Sequence, residues 1–460
     1  MKKYIKSIIL SALSISLLTG CQDELDTFNE NPNNPIITTP QLLLAAMEVS
    51  TFSTHTSGLI RNSGIFTQQL AGTDVGQMGP IARYIVTEND VTNEWNNVYG
   101  TTLMSGHVLT RDFAADYPYH NGIGQVLTAL NLGYATDMWG DVPYDEAFRA
   151  EQGIKAPKYN TQEEIYKRLQ SILDQAIVNL QKPASSNLAL PTKGEDFIFG
   201  GDTKKWIKIA YVLKARYALR LTQVDTGAAQ KALDYINQSG ITSNADDANT
   251  YFPGTANGWN QWYAFNNGNR ANYLKVGKYF VDQLQNSADP RLAYSIAKNS
   301  NGIYIGNSAE DQETISTSYI GSAYALKDTP VGMVTFAEAK FIEAEAKLRL
   351  GQDATGAFQA GVTASVLKVT GTAPTAAFVT TATATVNLEN IIQQKYRALF
   401  LTMEPYNDYR RTGFPALIPN QLSNTKTIPV RLPTPVEERQ YNSNATVVSN
   451  VTSKIWWDKD

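Results

Sequence analysis

Cysteine occurs once in the 460 residues, at Cys21. Beyond that position there is no thiol for a disulfide, a zinc-thiolate site or a nucleophile, so the body depends on packing. Histidine is nearly as scarce: His55, His107 and His120 lie far apart without metalloprotease spacing and read as helix or loop residues. Positive charge is not in surplus either, with 39 Lys and Arg against 43 Asp and Glu, a net charge of −4 and a pI near 5.6. Nucleic acid is therefore not an expected partner. The chain also lacks a phosphate loop, a dinucleotide fingerprint, a G-x-S-x-G elbow and a calcium loop. No cofactor, no metal and no catalytic residue is expected; carboxylate pairs are numerous, but none is singled out by its context. After Cys21 no apolar run approaches the ~20 residues that span a bilayer.

What is present begins at the N-terminus. Lys2, Lys3 and Lys6 precede an apolar run from Ile8 to Leu18, which is too short for a membrane span and reads as an export signal. It closes on Leu18-Thr19-Gly20-Cys21, which resembles a lipoprotein acylation motif. The expected organisation is a signal peptide over 1–20 and, over 21–40, a lipidated Cys21 with a flexible tether. A single helical domain over 41–460 follows, with long loops at about 68–89, 239–270 and 300–330. The alternative is an ordinary signal peptide with Cys21 incidental. Asp23, Glu24 and Asp26 serve a solvated linker or a surface-export signal equally well.

From Thr39 the pattern is helical. Thr161 and Glu164 have capping-box spacing, and behind them Ile165, Leu169, Ile172, Ala176 and Leu180 mark one buried stripe. Asp202 opens a helix carrying Trp206, Ala210, Leu213, Tyr217 and Leu221 in the same rhythm. Between Phe336 and Leu350 apolar residues form two rows, so that helix should be covered on two sides. Gly351 then stops it, and a second alanine-rich helix is expected from about Ala354 to Lys368, as in one tetratricopeptide-like hairpin. The Thr/Ala-rich stretch 369–386 reads as a plain loop, and Asp137 and Asp141 read as capping or turn residues around Trp139-Gly140.

The stretch from Tyr251 to Arg270 concentrates aromatic rings and side-chain amides among glycines that forbid a long helix. Flat apolar faces beside amide donors and acceptors complement sugars, whose rings have C–H faces and hydroxyl rims. Peptides and other polar ligands suit the same groups. Candidate ligand-binding residues are Trp259, Trp262, Tyr263, Asn266, Asn267 and Arg270, each ring serving equally well as a packing anchor. A second polar loop, with Gln68, Gln69, Asp74 and Tyr84, is expected to face the first.

Several segments in order together resemble the SusD/RagB family of outer-membrane nutrient-binding lipoproteins of Bacteroidetes. They include Asp137-Met-Trp-Gly-Asp141-Val-Pro-Tyr144, Trp206 to Arg216, Asp289-Pro-Arg-Leu292, Glu338 to Ala346, Gln393 to Phe400, Asn407 to Pro415, Ile428 to Pro433 and Trp456-Trp457-Asp458. The resemblance implies a mainly α fold, a tetratricopeptide-like scaffold of helical hairpins with an irregular loop-rich ligand-binding lobe. It also implies a non-catalytic protein that captures a nutrient, here an oligosaccharide, and delivers it to a SusC-like TonB-dependent barrel. The expected location is the outer membrane, facing the cell surface and held by the lipid anchor alone. Capture of a peptide, or a role mainly as a lid subunit, are the alternatives. Asp408, Arg410 and Arg411 are expected to form buried ion pairs of the scaffold.

Overall fold

Thr39 marks the start of the helical body, because its extended backbone and hydroxyl cap the next turn at Leu42 N (3.3 Å), with Pro40 in the first turn where no N–H is needed. The structure, a computed structural model, describes residues 38–74, 76–268, 270–310 and 316–459. The signal peptide, Cys21 and most of the tether lie outside the described residues.

The helices used below are α1 (Pro40–His55), α2 (Gly58–Phe66), α3 (Met104–Val108), α4 (Pro118–Trp139), α5 (Gln162–Leu180), α6 (Thr203–Arg220), α7 (Ala228–Ser239), α8 (Gln261–Asn267), α9 (Phe336–Arg349), α10 (Thr355–Thr370), α11 (Ala376–Ala382), α12 (Leu388–Ala398) and α13 (Glu404–Thr412). Among the described residues four small antiparallel strand pairs complete a mainly α fold: β1 (Leu70–Gly72) with β5 (Leu274–Val276), β2 (Val142–Pro143) with β3 (Tyr159–Asn160), β4 (Ala248–Asn249) with β8 (Gly332–Val334), and β6 (Ile296–Ala297) with β7 (Tyr319–Ile320). Among the described residues no helix is long and apolar enough to cross a membrane.

α4 is the central rod, buried along its whole length except at Tyr119. Gly133 makes this possible: a Cβ there would stand 2.2 Å from the Tyr217 hydroxyl, which donates to Ala129 O (3.0 Å). The glycine's helix penalty of ~0.5–1 kcal/mol is offset by that close approach of α6. α5 begins at the expected capping box, with Glu164 N on Thr161 Oγ1 (3.3 Å) and Thr161 N on Glu164 Oε2 (2.9 Å). Its buried row runs Ile165, Leu169, Leu173, Ala176, Leu180, with Leu173 rather than Ile172 fully covered. Asp202 caps α6 through Lys204 N (3.0 Å), and Trp206, Ala210, Leu213 and Tyr217 are buried behind it, with Leu221 half-buried just past the end.

Consecutive helices pack as pairs, α4 with α5, α6 with α7, and α9 with α10, and the pairs stack through α5 on α6 and α7 on α9. This is the expected hairpin array. Both rows of α9 are used: Ala339, Ile342 and Ala346 enter the main core, whereas Phe341 and Ala344 join Phe358 and Val362 of α10. Gly361 lets Phe341 lie against α10, since a Cβ there would be 3.2 Å from its ring. The stretch 369–386 is not a plain loop. Thr375 accepts from Phe378 N (3.2 Å) and starts α11, because a good N-cap followed by alanines is a helix signal that composition alone concealed.

The motif segments converge on a chain of buried charges. Arg216 holds Glu338 through two bonds of 2.6 Å, Arg220 bridges Asp137 and Glu404, and Arg411 bridges Asp408 (2.7 Å) and Glu345 (2.5 Å). Lys395 reaches Asp408 (3.0 Å), and Arg410 donates to Asp137 O (2.6 Å) while standing 4.7 Å from the Trp457 ring. These contacts join α4, α6, α9, α12, α13 and the terminal Trp457. Asp137 is therefore an interior ion-pair residue rather than a cap; Asp141 does cap, accepting from Gln162 N at 2.8 Å. Burial alone would raise the Asp408 carboxyl, but Lys395 and Arg411 hold it down at about 2, and Glu345 and Glu404 are lowered for the same reason by their arginines.

The lobe leaves and rejoins this body at one neck. Strand β4 (Ala248–Asn249) pairs with β8 (Gly332–Val334), and the chain between them forms the excursion. Its strand β5 (Leu274–Val276) pairs with β1 (Leu70–Gly72), in register Leu70 with Val276 and Gly72 with Leu274. This pairing joins the second polar loop to the residues just past the first, at 274–276. The expected loops 68–89, 239–270 and 300–330 contain β1, α8 and β7 (Tyr319–Ile320), respectively.

Candidate ligand-binding site

The β1–β5 pair sets the geometry of an exposed face. Past β1, Thr73 N bonds to Tyr273 O (3.2 Å) and the Thr73 hydroxyl donates to Asn272 O, tying the turn to the residues before β5. Gly76 has φ +83°, and a Cβ on it would stand 2.5 Å from the Tyr273 ring, so only glycine admits the ring at that place. Asp74 pairs with Arg83 at 2.7 Å, both largely open to solvent. From β7, the Tyr319 hydroxyl donates to Asn272 Oδ1 (2.8 Å), and the Lys275 ammonium lies 3.2 Å from the Tyr319 ring centre. Two half-buried phenol rings and an exposed amide therefore lie together, with the Asp74–Arg83 pair next along the chain from Thr73.

Beside it α8 is fixed by Asn260. That side chain accepts from Trp262 N (2.8 Å) and donates to Tyr324 O (2.8 Å) and Thr329 O (2.7 Å). Trp259 and Tyr263 are half-buried and meet edge to face at 5.3 Å, with the Lys327 ammonium 5.3 Å and 5.7 Å from the two rings. Asn266 donates to Ile320 O (2.7 Å), joining α8 to β7. Asn267 and Arg270 are exposed; the Arg270 guanidinium is 5.6 Å from the Phe265 ring, which has Arg61 within 4.5 Å.

Three of the expected residues belong to the framework instead. Trp262 is wholly buried in the core, pinning α8 to the body. Gln69 is also wholly buried, donating to Tyr396 O (2.8 Å) and accepting from Leu401 N (3.3 Å). Tyr84 is buried with φ +62°, its hydroxyl accepts from Asn420 N (2.9 Å), and burial pushes its phenol up to about 12. Gln68 is half-buried and donates to Ile418 O (2.5 Å) at the rim of a separate hollow of about 250 Å³. Conversely, Arg83, Asn272, Tyr273 and Tyr319 went unnamed. Asn272 and Tyr273 stand just past Arg270, and Tyr319 lies within the expected loop 300–330.

The histidines are dispersed as expected. His55 is buried between the Tyr134 hydroxyl (2.7 Å) and Gly332 O (3.0 Å), and burial lowers it to about 4. Among the described residues no group of three His, Cys, Asp or Glu side chains is arranged to hold a metal.

The fold is similar to that of solved SusD-type proteins. A SusD/RagB family protein from Bacteroides thetaiotaomicron shares 24% identity at TM-score 0.75, over 92% of this chain and 99% of that one. A chitin-binding protein shares 26% at TM-score 0.76, over 92% and 100%. A chitin-binding SusD homolog from Flavobacterium johnsoniae shares 21% at TM-score 0.77, over 91% and 97%. Over residues 32–435 the chain matches the SusD-like family model described as starch-binding associating with outer membrane, and it belongs to that family. No curated protein matches it.

Proposed function

We propose that the protein is a non-catalytic surface lipoprotein that captures an oligosaccharide on the lobe. The observation that carries this is the grouping of the half-buried rings of Tyr273 and Tyr319 with the exposed Asn272 amide, beside the Asp74–Arg83 pair. Rings of that kind stack on sugar C–H faces, while the amide and ion pair answer hydroxyls. The chitin-binding activity of the relative at 26% identity makes chitin oligosaccharides the first class to try, with starch oligosaccharides next. In the same reading the captured glycan passes to a SusC-like TonB-dependent barrel, with the body held at the outer membrane through acylated Cys21 and its tether. Isothermal titration against a panel of chitin and starch oligosaccharides and peptides tests the ligand class. Binding of a glycan supports it, and binding of peptides alone refutes it.

A role as a lid subunit has its own support. Ile418, Leu422 and Ile85 are 74%, 63% and 45% exposed, and Asn420 joins their segments by donating to Ala82 O (2.8 Å). Exposed apolar side chains gathered on one rim suit contact with another protein. If that contact carries the function, Ile418→Asp impairs uptake in cells and leaves glycan affinity unchanged.

A further inference from the structure

On the helical body, away from the neck, a cleft of about 740 Å³ opens between α3, α4, α5 and the segment 144–149. Its construction departs from regular geometry at two places. α3 is flanked by wide π-helical turns at Val98–Leu103 and Leu109–Phe113, and such turns often accompany functional sites. Phe148 has φ +63°, a conformation that a bulky L-residue adopts only when its surroundings enforce it. Its ring is held 6.1 Å from Tyr99 and 5.7 Å from His107. Gly106 keeps the floor shallow, since a Cβ there would be 2.3 Å from Thr128 Oγ1.

The lining carries three guanidiniums against two carboxylates in an acidic chain. Of its three guanidiniums, Arg111 pairs with Asp112 (2.6 Å) and Arg168 with Asp145 (2.9 Å). Glu146 is taken by Lys158, through its ammonium (3.3 Å) and its amide (3.0 Å). Arg149 is exposed and makes no direct side-chain ion pair among the described residues, although its charge acts on the nearby Glu146 and His107. Burial, with Arg111 and Arg149 nearby, keeps His107 below its usual range, so at neutral pH it adds no charge. Tyr144 and Phe148 are half-buried and line the cleft, and Ser171 and Gln175 of α5 are exposed along it. An unpaired guanidinium fork, ring faces and neutral hydrogen-bonding groups form a set for a ring-shaped ligand bearing one carboxylate.

We propose that this cleft is a second binding site, separate from the lobe, for a sugar carrying a carboxylate. Arg149 takes the carboxylate, Tyr144 and Phe148 take the ring face, and Ser171 and Gln175 take hydroxyls. The site stands whether or not the lobe binds a neutral glycan.

The test is isothermal titration of the purified chain with trigalacturonate and with its neutral counterpart, trigalactose. Trigalacturonate binds at least tenfold more tightly, and added salt weakens it. Arg149→Ala lowers that affinity about tenfold and Arg149→Lys restores part of it. Tyr319→Ala, on the lobe, leaves it unchanged. The proposal is overturned if, in the Tyr319→Ala protein, neither sugar binds or both bind equally, or if Arg149→Ala has no effect. A peptide whose free C-terminal carboxylate displaces the sugar with higher affinity also overturns it.

Discussion

Two Arg–Asp pairs in this protein have the same contact and opposite surroundings. Arg411 meets Asp408 at 2.7 Å with both side chains 2% exposed, and Arg83 meets Asp74 at 2.7 Å with 42% and 62% exposed. In the first, water is absent and each charge depends on its partners, so the pair is part of a lattice that orients five helices. In the second, water competes and the pair contributes about 0–1 kcal/mol to folding. Its groups can exchange partners for a ligand at little structural cost. The same chemistry thus serves as scaffold where it is buried, and under the proposed function it is left available for recognition where it is exposed.

The comparison fails first if the buried pair proves dispensable. Arg411→Met leaves Asp408 and Glu345 short of a cation and should cost about 3–5 kcal/mol, read as a lower denaturant midpoint. Trp262→Ala should cost a similar ~3–5 kcal/mol through the cavity it leaves, whereas Trp259→Ala, half-buried, should cost much less. Loss of ligand affinity with normal stability in Trp262→Ala would return that ring to the binding face.

Acid probes the lattice more gently. Asp408 has a folded value of about 2, below the ~3.9 of an unfolded aspartate, so its contribution is complete above about pH 4 and is lost as pH falls towards 2. That loss is of the order of 2–3 kcal/mol from this carboxyl. Unfolding midpoints at pH 7, 4, 3 and 2 should be nearly level to pH 4 and then drop on account of it. The smallest effect belongs to the wet pair. Arg83→Ala should change stability by no more than about 0.5 kcal/mol while weakening glycan binding several-fold, a split that titration and denaturation together reveal.

The helical body was readable because its signals are local. Thr161 and Glu164 sit three residues apart, Asp202 precedes its helix, and the two apolar rows of α9 recur with the helical period. The Thr and Ala composition of 369–386 hides α11, whose signal is the cap Thr375. The lobe was half readable. Its aromatic and amide content was evident, but Trp262 faces inward and Trp259 only partly so because Asn260 and Asn266 bind backbone carbonyls more than fifty residues away. Tyr319 and Arg83 reach their face through the β1–β5 pairing and the bond to Asn272, contacts that no local pattern contains. Asp137 escaped for the same reason, since Arg220 and Asn407 come from distant helices.

The most direct test of the lobe as a capture surface is titration of a chitin oligosaccharide into the unmodified protein and into Tyr319→Ala, with an unfolding curve for each. The account predicts measurable binding that weakens at least tenfold in the variant, about 1.4 kcal/mol, while the variant stays folded with a midpoint lowered only by the lost contacts to Lys275 and Asn272. Equal affinity of the two proteins, or a loss that comes only with unfolding of the variant, would contradict it.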